Sequence, residues 1–277
     1  MGLRIATNIA SQSVQKNLKE VSNSGNSQLE KLSSGKRITK ASDDAAGLAI
    51  ATNLEAQTKG LRQATRNAND GISLIQTAEG GLNETSNILV RLRELTIQAA
   101  SDTVGEAERG FLDKEYQQLS TEVDRISEST TFNGAQLLNG KGKGSMDFQV
   151  GAFAGEQNKI TFDSSETDAS ASSIGIGGTG ISNKDDALSA IATVDAAIGK
   201  VSGQRANLGS IQSRLGSTVK NLETQTINQD SARSVIQDVD VAEASAALAS
   251  NQVVKNAAVS TLAQANQIPN SALRLIS

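Results

Sequence analysis

The sequence predicts a mainly α-helical, elongated fold. The two arms of the chain would form an antiparallel bundle or coiled coil around a small β-hairpin-rich centre. Three features of the 277 residues lead there: apolar residues recur at heptad spacing through long stretches, the one proline stands at position 269, and aromatic residues make up only 2%. Proline-free stretches of that period read as long helices. Aromatic side chains normally supply the largest buried areas of a compact core, so their scarcity favours a thin interior shared along helices.

The first arm opens with an amphipathic stretch over residues 1–32, with Ile5, Ile9, Val14, Leu18 and Val21 on its stripe. The longest helix runs from about Asp44 to Ala100. Leu54, Leu61, Ala68, Ile75, Leu82 and Leu89 fall seven apart. A row of mostly small residues (Ala64, Gly71, Ala78, Thr85, Leu92, Ala99) follows three positions behind, which is coiled-coil spacing. Such a helix is roughly 85 Å long at its normal rise, longer than a compact domain of this size is wide. Its middle, RNANDGISLIQTAEGGL (Arg66–Leu82), holds two Asn, an Asp-Gly pair and a double Gly. Each Gly costs roughly 1 kcal/mol relative to Ala, so this segment needs packing partners.

A second helix spans about Glu106–Ser127, with Leu112, Tyr116, Leu119, Val123 and Ile126 alternating four and three apart. Residues 130–165 read as β-rich. Two Asn-Gly pairs mark turns, and Met146, Phe148 and Val150 alternate, as do Ile160 and Phe162. Residues 166–183, rich in Gly and Ser, read as an exposed polar loop. A third long helix covers about Lys184–Thr226, with Val194, Val201, Leu208, Leu215 and Leu222 at intervals of seven. The last stretch, 241–277, carries Val254, Ala258, Leu262, Ala265 and Ile268. The expected organisation is a terminal helical domain of residues 1–43 and 234–277, and an outer helical domain of residues 44–233.

Composition narrows the chemistry. The chain has no Cys and no His, which removes thiol chemistry, most soft-metal sites and the commonest base near neutral pH. A net charge of −4 and a pI near 5.1 match nucleic acid poorly. No apolar run reaches the ~18 residues of a membrane span, and the N-terminus lacks the apolar core of a cleaved signal. The run GIGGTG (Gly175–Gly180) lacks the Lys-Ser/Thr ending and the strand–helix context of a phosphate loop, and reads as flexible surface. The pairs Asp43-Asp44, Asp185-Asp186 and Asp238/Asp240 stand at helix starts, where carboxylates cap free N–H groups. The sequon Asn83–Thr85 falls inside a helix. No cofactor, metal or catalytic residue is expected. RLREL (Arg91–Leu95) reads either as a solvated charged face or as a partner surface.

Both terminal stretches have thin apolar stripes broken by Ser, Asn and Gln. Isolated helices of this kind are marginal in water. They can pair with each other, remain loose until neighbouring subunits bury them, or do both.

Several segments in order resemble bacterial flagellins: LSSGKRI (Leu32–Ile38), SDDAAGLAIA (Ser42–Ala51), NANDGISLIQTAEGGLNE (Asn67–Glu84), RLREL, FNGAQLL, LGSIQSRL (Leu208–Leu215) and LAQANQIP (Leu262–Pro269). The resemblance covers nearly the whole chain. Ser213 and the ending RLIS depart from the commoner pattern without disturbing the heptad rows.

The resemblance implies a short filament subunit, lacking large variable outer domains, that polymerises with itself and lies outside the cell. It implies export by the flagellar type III apparatus with a chaperone, without a cleaved signal, and contact with cap and junction proteins. The assembly residues would be Ile5, Ile9, Val14, Leu18, Val254, Ala258, Leu262, Ala265 and Ile268. It also implies recognition by the flagellin-sensing Toll-like receptor through Arg91, Leu95 and Glu115, with Leu92 and Arg93 beside them. A hook–filament junction protein shares the terminal helices and is the alternative. An enzyme built on the Asp pairs is the reading from another class.

Overall fold

The computed structural model describes residues 7–142 and 144–274, the last seven as backbone. The described residues form six α-helices: α1 (Ile9–Ser34), α2 (Ala45–Ala100), α3 (Glu106–Ser129), the single-turn α4 (Ala171–Ile174), α5 (Lys184–Gln237) and α6 (Val241–Arg274). Four short strands lie between α3 and α4. The mainly helical class with a small β centre is therefore the observed one. Two compact units divide the residues, Met1–Ala56 with Asn228–Ser277, and Gln57–Ile227. Both boundaries fall inside helices, α2 and α5.

The second unit holds the main core. The heptad rows of α2 line it from Ala68 onward, with Ala68, Ile75, Ala78, Leu82, Thr85, Leu89, Leu92 and Ala99 buried. Leu61 and Ala64 are buried in a smaller cluster with Leu222, and Leu54, in the first unit, is half-buried. Tyr116, Val123 and Ile126 of α3 and Val194, Val201, Leu208 and Leu215 of α5 complete the seam. The α2–α3 turn is closed by Arg109, whose guanidinium donates to the carbonyls of Ala99 (2.8 Å) and Ser101 (3.0 Å). Those acceptors stand at and just past the end of α2, where helix carbonyls lack intrahelical partners.

Strands β1 (Thr131–Phe132) and β2 (Ala135–Gln136) pair antiparallel. The turn between them is Asn133-Gly134, both at positive φ (48° and 75°), as a two-residue hairpin turn of this kind requires. Strands β3 (Ser145–Gln149) and β4 (Lys159–Asp163) pair with Met146 opposite Phe162 and Phe148 opposite Ile160. The alternation in the sequence thus sets the register.

These strands explain the weak stretch of α2. A Cβ on Gly71 would stand 3.2 Å from the Phe148 ring, and one on Gly81 would stand 2.6 Å from Leu138 Cδ1. Glycine lets β3 and the segment after β2 lie directly on the helix. The packing partners of this segment come from its own chain.

Two expectations are corrected. Residues 166–183 are only in part an exposed loop: Gly175, Gly177 and Gly178 lie at the surface as expected, but Ile176 between them is buried. Thr167, Ala169, Ala171, Ile174, Ile176 and Ile181 are buried. The segment is tied to α3: Asp124 accepts from the Ala171 N–H (2.7 Å), Asp113 from the Ile181 N–H (2.8 Å), and Tyr116 donates to Thr179 Oγ1 (2.7 Å). Small residues allow close approach to the helices, and the three isoleucines supply the burial. The third long helix also continues past Thr226 to Gln237. The apolar period stops at Leu222, but no Gly or Pro follows before residue 237, so nothing breaks the backbone ladder.

In the first unit α1 and α6 run antiparallel. Asn8 donates to the Ala265 carbonyl (2.9 Å), Ser11 to Asn266 (2.8 Å) and Asn251 to Ser24 (3.2 Å). Asn8 caps α1 by accepting from the Ser11 N–H, and Gly35 at φ 69° ends it. The connections after α1 and before α6 clip together through a Lys36–Asp238 bridge and the bond from Arg37 N–H to Gln237 carbonyl (2.6 Å).

Candidate assembly surface

The first unit has little interior. Among the described residues its buried apolar side chains are Ile38, Ala51, Ala244 and Ala265. Its exposed large ones are Ile9, Leu29, Ile50, Val235, Val241, Val253, Val254 and Val259. A groove of about 440 Å³ runs between α1 and α6 past Val21, Gly25, Leu29, Leu248 and Lys255. Hydrogen bonds from Asn8, Ser11 and Asn251 share the pairing with the half-buried Val14, Leu18 and Leu262.

The terminal residues singled out in the sequence divide into two groups. Val14, Leu18, Ala258 and Leu262 are half-buried and Ala265 is buried, which places them on the seam between the helices. Ile9 and Val254 are exposed. Ile5 and the side chain of Ile268 lie outside the described residues. Leu29, Val253 and Val259 were missed because they stand off the heptad stripe. The adjacent apolar pairs Val253-Val254 and Ala258-Val259, which place apolar groups on two faces, were the available signal.

The RLREL segment is likewise divided. The Arg91 guanidinium donates to Glu115 Oε1 (2.8 and 3.1 Å) and to Glu94 (3.0 Å), joining α2 to α3. These bonds, Glu115 first, raise the arginine's pKa. Arg93 reaches Asp195 of α5 at 2.6 Å. All of these side chains are about half exposed or more, Arg91 at 50% and Glu115 at 44%, so solvent screens each pair and leaves it little weight in stability. Leu92 and Leu95 have no exposed surface. Their side chains belong to the core of the folded chain, whereas Arg91, Arg93 and Glu115 stand at its surface.

The Asp pairs act at helix starts. Asp44 accepts from the Gly47 N–H (2.8 Å) and Asp240 from those of Ala242 (2.8 Å) and Glu243 (3.2 Å). Asp185 and Asp186 occupy the first turn of α5. Asp43 gathers the Thr39 N–H and hydroxyl and the Lys40 N–H, which hold its carboxyl below the ordinary value. Asp238 instead lies in the bridge to Lys36. Among the described residues no three potential ligands gather to hold a metal, and no helix is long and apolar enough to cross a membrane.

Comparison with known proteins agrees with this architecture. Residues 5–143 match the bacterial flagellin N-terminal helical region and residues 191–276 the C-terminal helical region. The chain belongs to the bacterial flagellin family. Relatives of this flagellin include the flagellin of Halalkalibacterium halodurans, 41% identical over 97% of this chain and 98% of that one. A flagellar filament core protein of Brachyspira hyodysenteriae is 39% identical over 98% and 99%. The crystal structure of Bacillus cereus flagellin superposes with a TM-score of 0.51 at 31% identity, covering 61% of this flagellin and 94% of that chain.

Proposed function

We propose that this flagellin is a structural subunit that assembles with copies of itself into the extracellular flagellar filament, and is not an enzyme. One observation carries the reading: among its described residues the first unit buries four apolar side chains and exposes eight large ones. Covering a half-exposed Val or Ile yields roughly 1 kcal/mol, so eight of them give several kcal/mol per subunit only when neighbours are present. Repeating contacts that do not close into a ring generate an open helical polymer. Low stability of the terminal pair suits a subunit that passes through the flagellar type III apparatus with its chaperone and meets cap and junction proteins on arrival. The relatives named as filament core proteins support this assignment over a junction protein.

The test is electron microscopy of Val253→Asp/Val259→Asp beside the unaltered chain under polymerising salt. Both side chains are exposed, so the variant folds. Filaments from the unaltered chain alone are expected; filaments from both would refute the placement of the contacts. For the flagellin-sensing receptor, the reading rests on Arg91, Arg93 and Glu115. Arg91→Ala should reduce reporter activation by the monomer without changing its helicity, and unchanged activation would remove that surface from consideration.

A further inference from the structure

The chain holds two Asn-Gly pairs six residues apart, Asn133-Gly134 and Asn139-Gly140, and the fold treats them in opposite ways. Glycine after asparagine leaves the next backbone nitrogen unshielded, which favours its attack on the asparagine side chain. Asn133 is exposed at the tip of the β1–β2 hairpin, and its carboxamide makes no hydrogen bond to the described residues. That hairpin consists of the pairs Thr131–Gln136 and Phe132–Ala135 and a bond from the Leu137 N–H to the Thr130 carbonyl (3.1 Å). Asn139 is only 9% exposed. Its Nδ2 donates to Gln136 Oε1 (2.6 Å) and its Oδ1 accepts from the Lys141 N–H (3.0 Å). Leu137 and Leu138 before it have no exposed surface, and their carbonyls accept from Thr167 Oγ1 (2.9 Å) and the Ala169 N–H (2.8 Å).

We propose that Asn133 is a built-in site of spontaneous deamidation, and that the fold protects Asn139. The Gly134 nitrogen gives its proton to solvent base and attacks Asn133 Cγ. The Cγ–Nδ2 bond breaks and ammonia leaves with a proton, closing a succinimide. Water then opens one of the two ring carbonyls. Breaking the new Cγ–N bond yields Asp, and breaking the original peptide bond yields isoaspartate, with the chain rerouted through Cγ.

Attack requires Asn133 to leave its left-handed turn conformation, so the rate follows hairpin opening. Opening releases two strand pairs and the half-buried Phe132, a small local event for so short a hairpin. Freeing Asn139 requires lifting two leucines out of the core. Isoaspartate lengthens the backbone at a two-residue turn and adds one negative charge, so the hairpin loses its register and Phe132 its seat against the core. Modification would therefore mark and loosen aged subunits at one defined place.

The experiment incubates the folded full-length chain at mildly alkaline pH beside the same chain in denaturant. Tryptic peptide 126–141 carries both asparagines, and electron-transfer fragmentation separates Asn133 from Asn139 and isoaspartate from Asp. In the folded chain Asn133 should react at least about tenfold faster than Asn139, as expected when one opening is local and the other is not. In denaturant the two rates should converge. Equal rates in the folded chain overturn the proposal, as does a folded chain unmodified at Asn133 while the denatured chain reacts. Asn133→Gln should abolish most modification of the folded peptide; an unchanged total would also overturn it.

Discussion

The adjacent glycines of α2 should respond in opposite directions to the same methyl group. A Cβ on Gly80 meets nothing within 4 Å. A Cβ on Gly81 would stand 2.6 Å from Leu138 Cδ1 and 2.7 Å from Thr130 Oγ1. Neither neighbour can retreat, because Leu138 has no exposed surface and the Thr130 hydroxyl donates to the Ile126 carbonyl at 2.7 Å. Alanine gains about 1 kcal/mol of helix propensity at either position. Overpacking at position 81 costs about 1–3 kcal/mol. Gly80→Ala should therefore stabilise by about 1 kcal/mol, and Gly81→Ala should destabilise by up to about 2 kcal/mol. For a unit of this size each kcal/mol moves Tm by about 2–4 °C, so scanning calorimetry of the monomers separates the variants easily. If Gly81→Ala raises Tm as much as Gly80→Ala, the close approach of the segment after β2 to α2 is wrong.

Three further outcomes follow from named contacts. Arg109→Ala removes two charge-assisted bonds to the end of α2 and should cost about 1.5–3 kcal/mol, with Arg109→Lys recovering only part; a neutral result in urea unfolding would deny the closing role of this side chain. Tyr116→Phe deletes the bond to Thr179 Oγ1, which still donates to the Ile176 carbonyl. The loss should be about 1 kcal/mol, with faster amide exchange confined to residues 174–181 as the discriminating readout. Asp43 has its pKa lowered in the folded chain by the Thr39 and Lys40 donors, so its stabilisation is present above the ordinary carboxylate pKa and lost as pH falls through the lowered one. Thr39 and Lys40 amides should lose protection, corrected for intrinsic exchange, across that acid window in the native chain; the same pH profile in Asp43→Asn would show that another group is responsible.

The periodic features of this flagellin were legible in its residues. Heptad rows are local: Ile75 and Leu82 share a face because of the helix repeat, whatever packs against them. The Asn133-Gly134 turn and the β3–β4 alternation were readable for the same reason, as were the carboxylates at helix starts. Residues 166–183 misled because Gly and Ser dominate the composition, while Ile174, Ile176 and Ile181, spread among them without a period, determine the burial. The resemblance grouped Leu92 and Leu95 with Arg91 and Arg93, while the helix repeat, which already put Leu92 in a heptad row, turns both leucines inward.

By itself, then, the sequence determined the helices, their seams, the turns and the family, since these follow from spacing within single segments. Tertiary structure alone decided that Arg91 meets Glu115 across a turn of the chain, that glycines at 71 and 81 receive the β segments, and that one Asn-Gly pair is sheltered and the other open. It also decided which apolar face of the terminal helices is sealed in their seam and which stays exposed. Each of these depends on which distant residues come within a few ångströms of one another, and no local period encodes that.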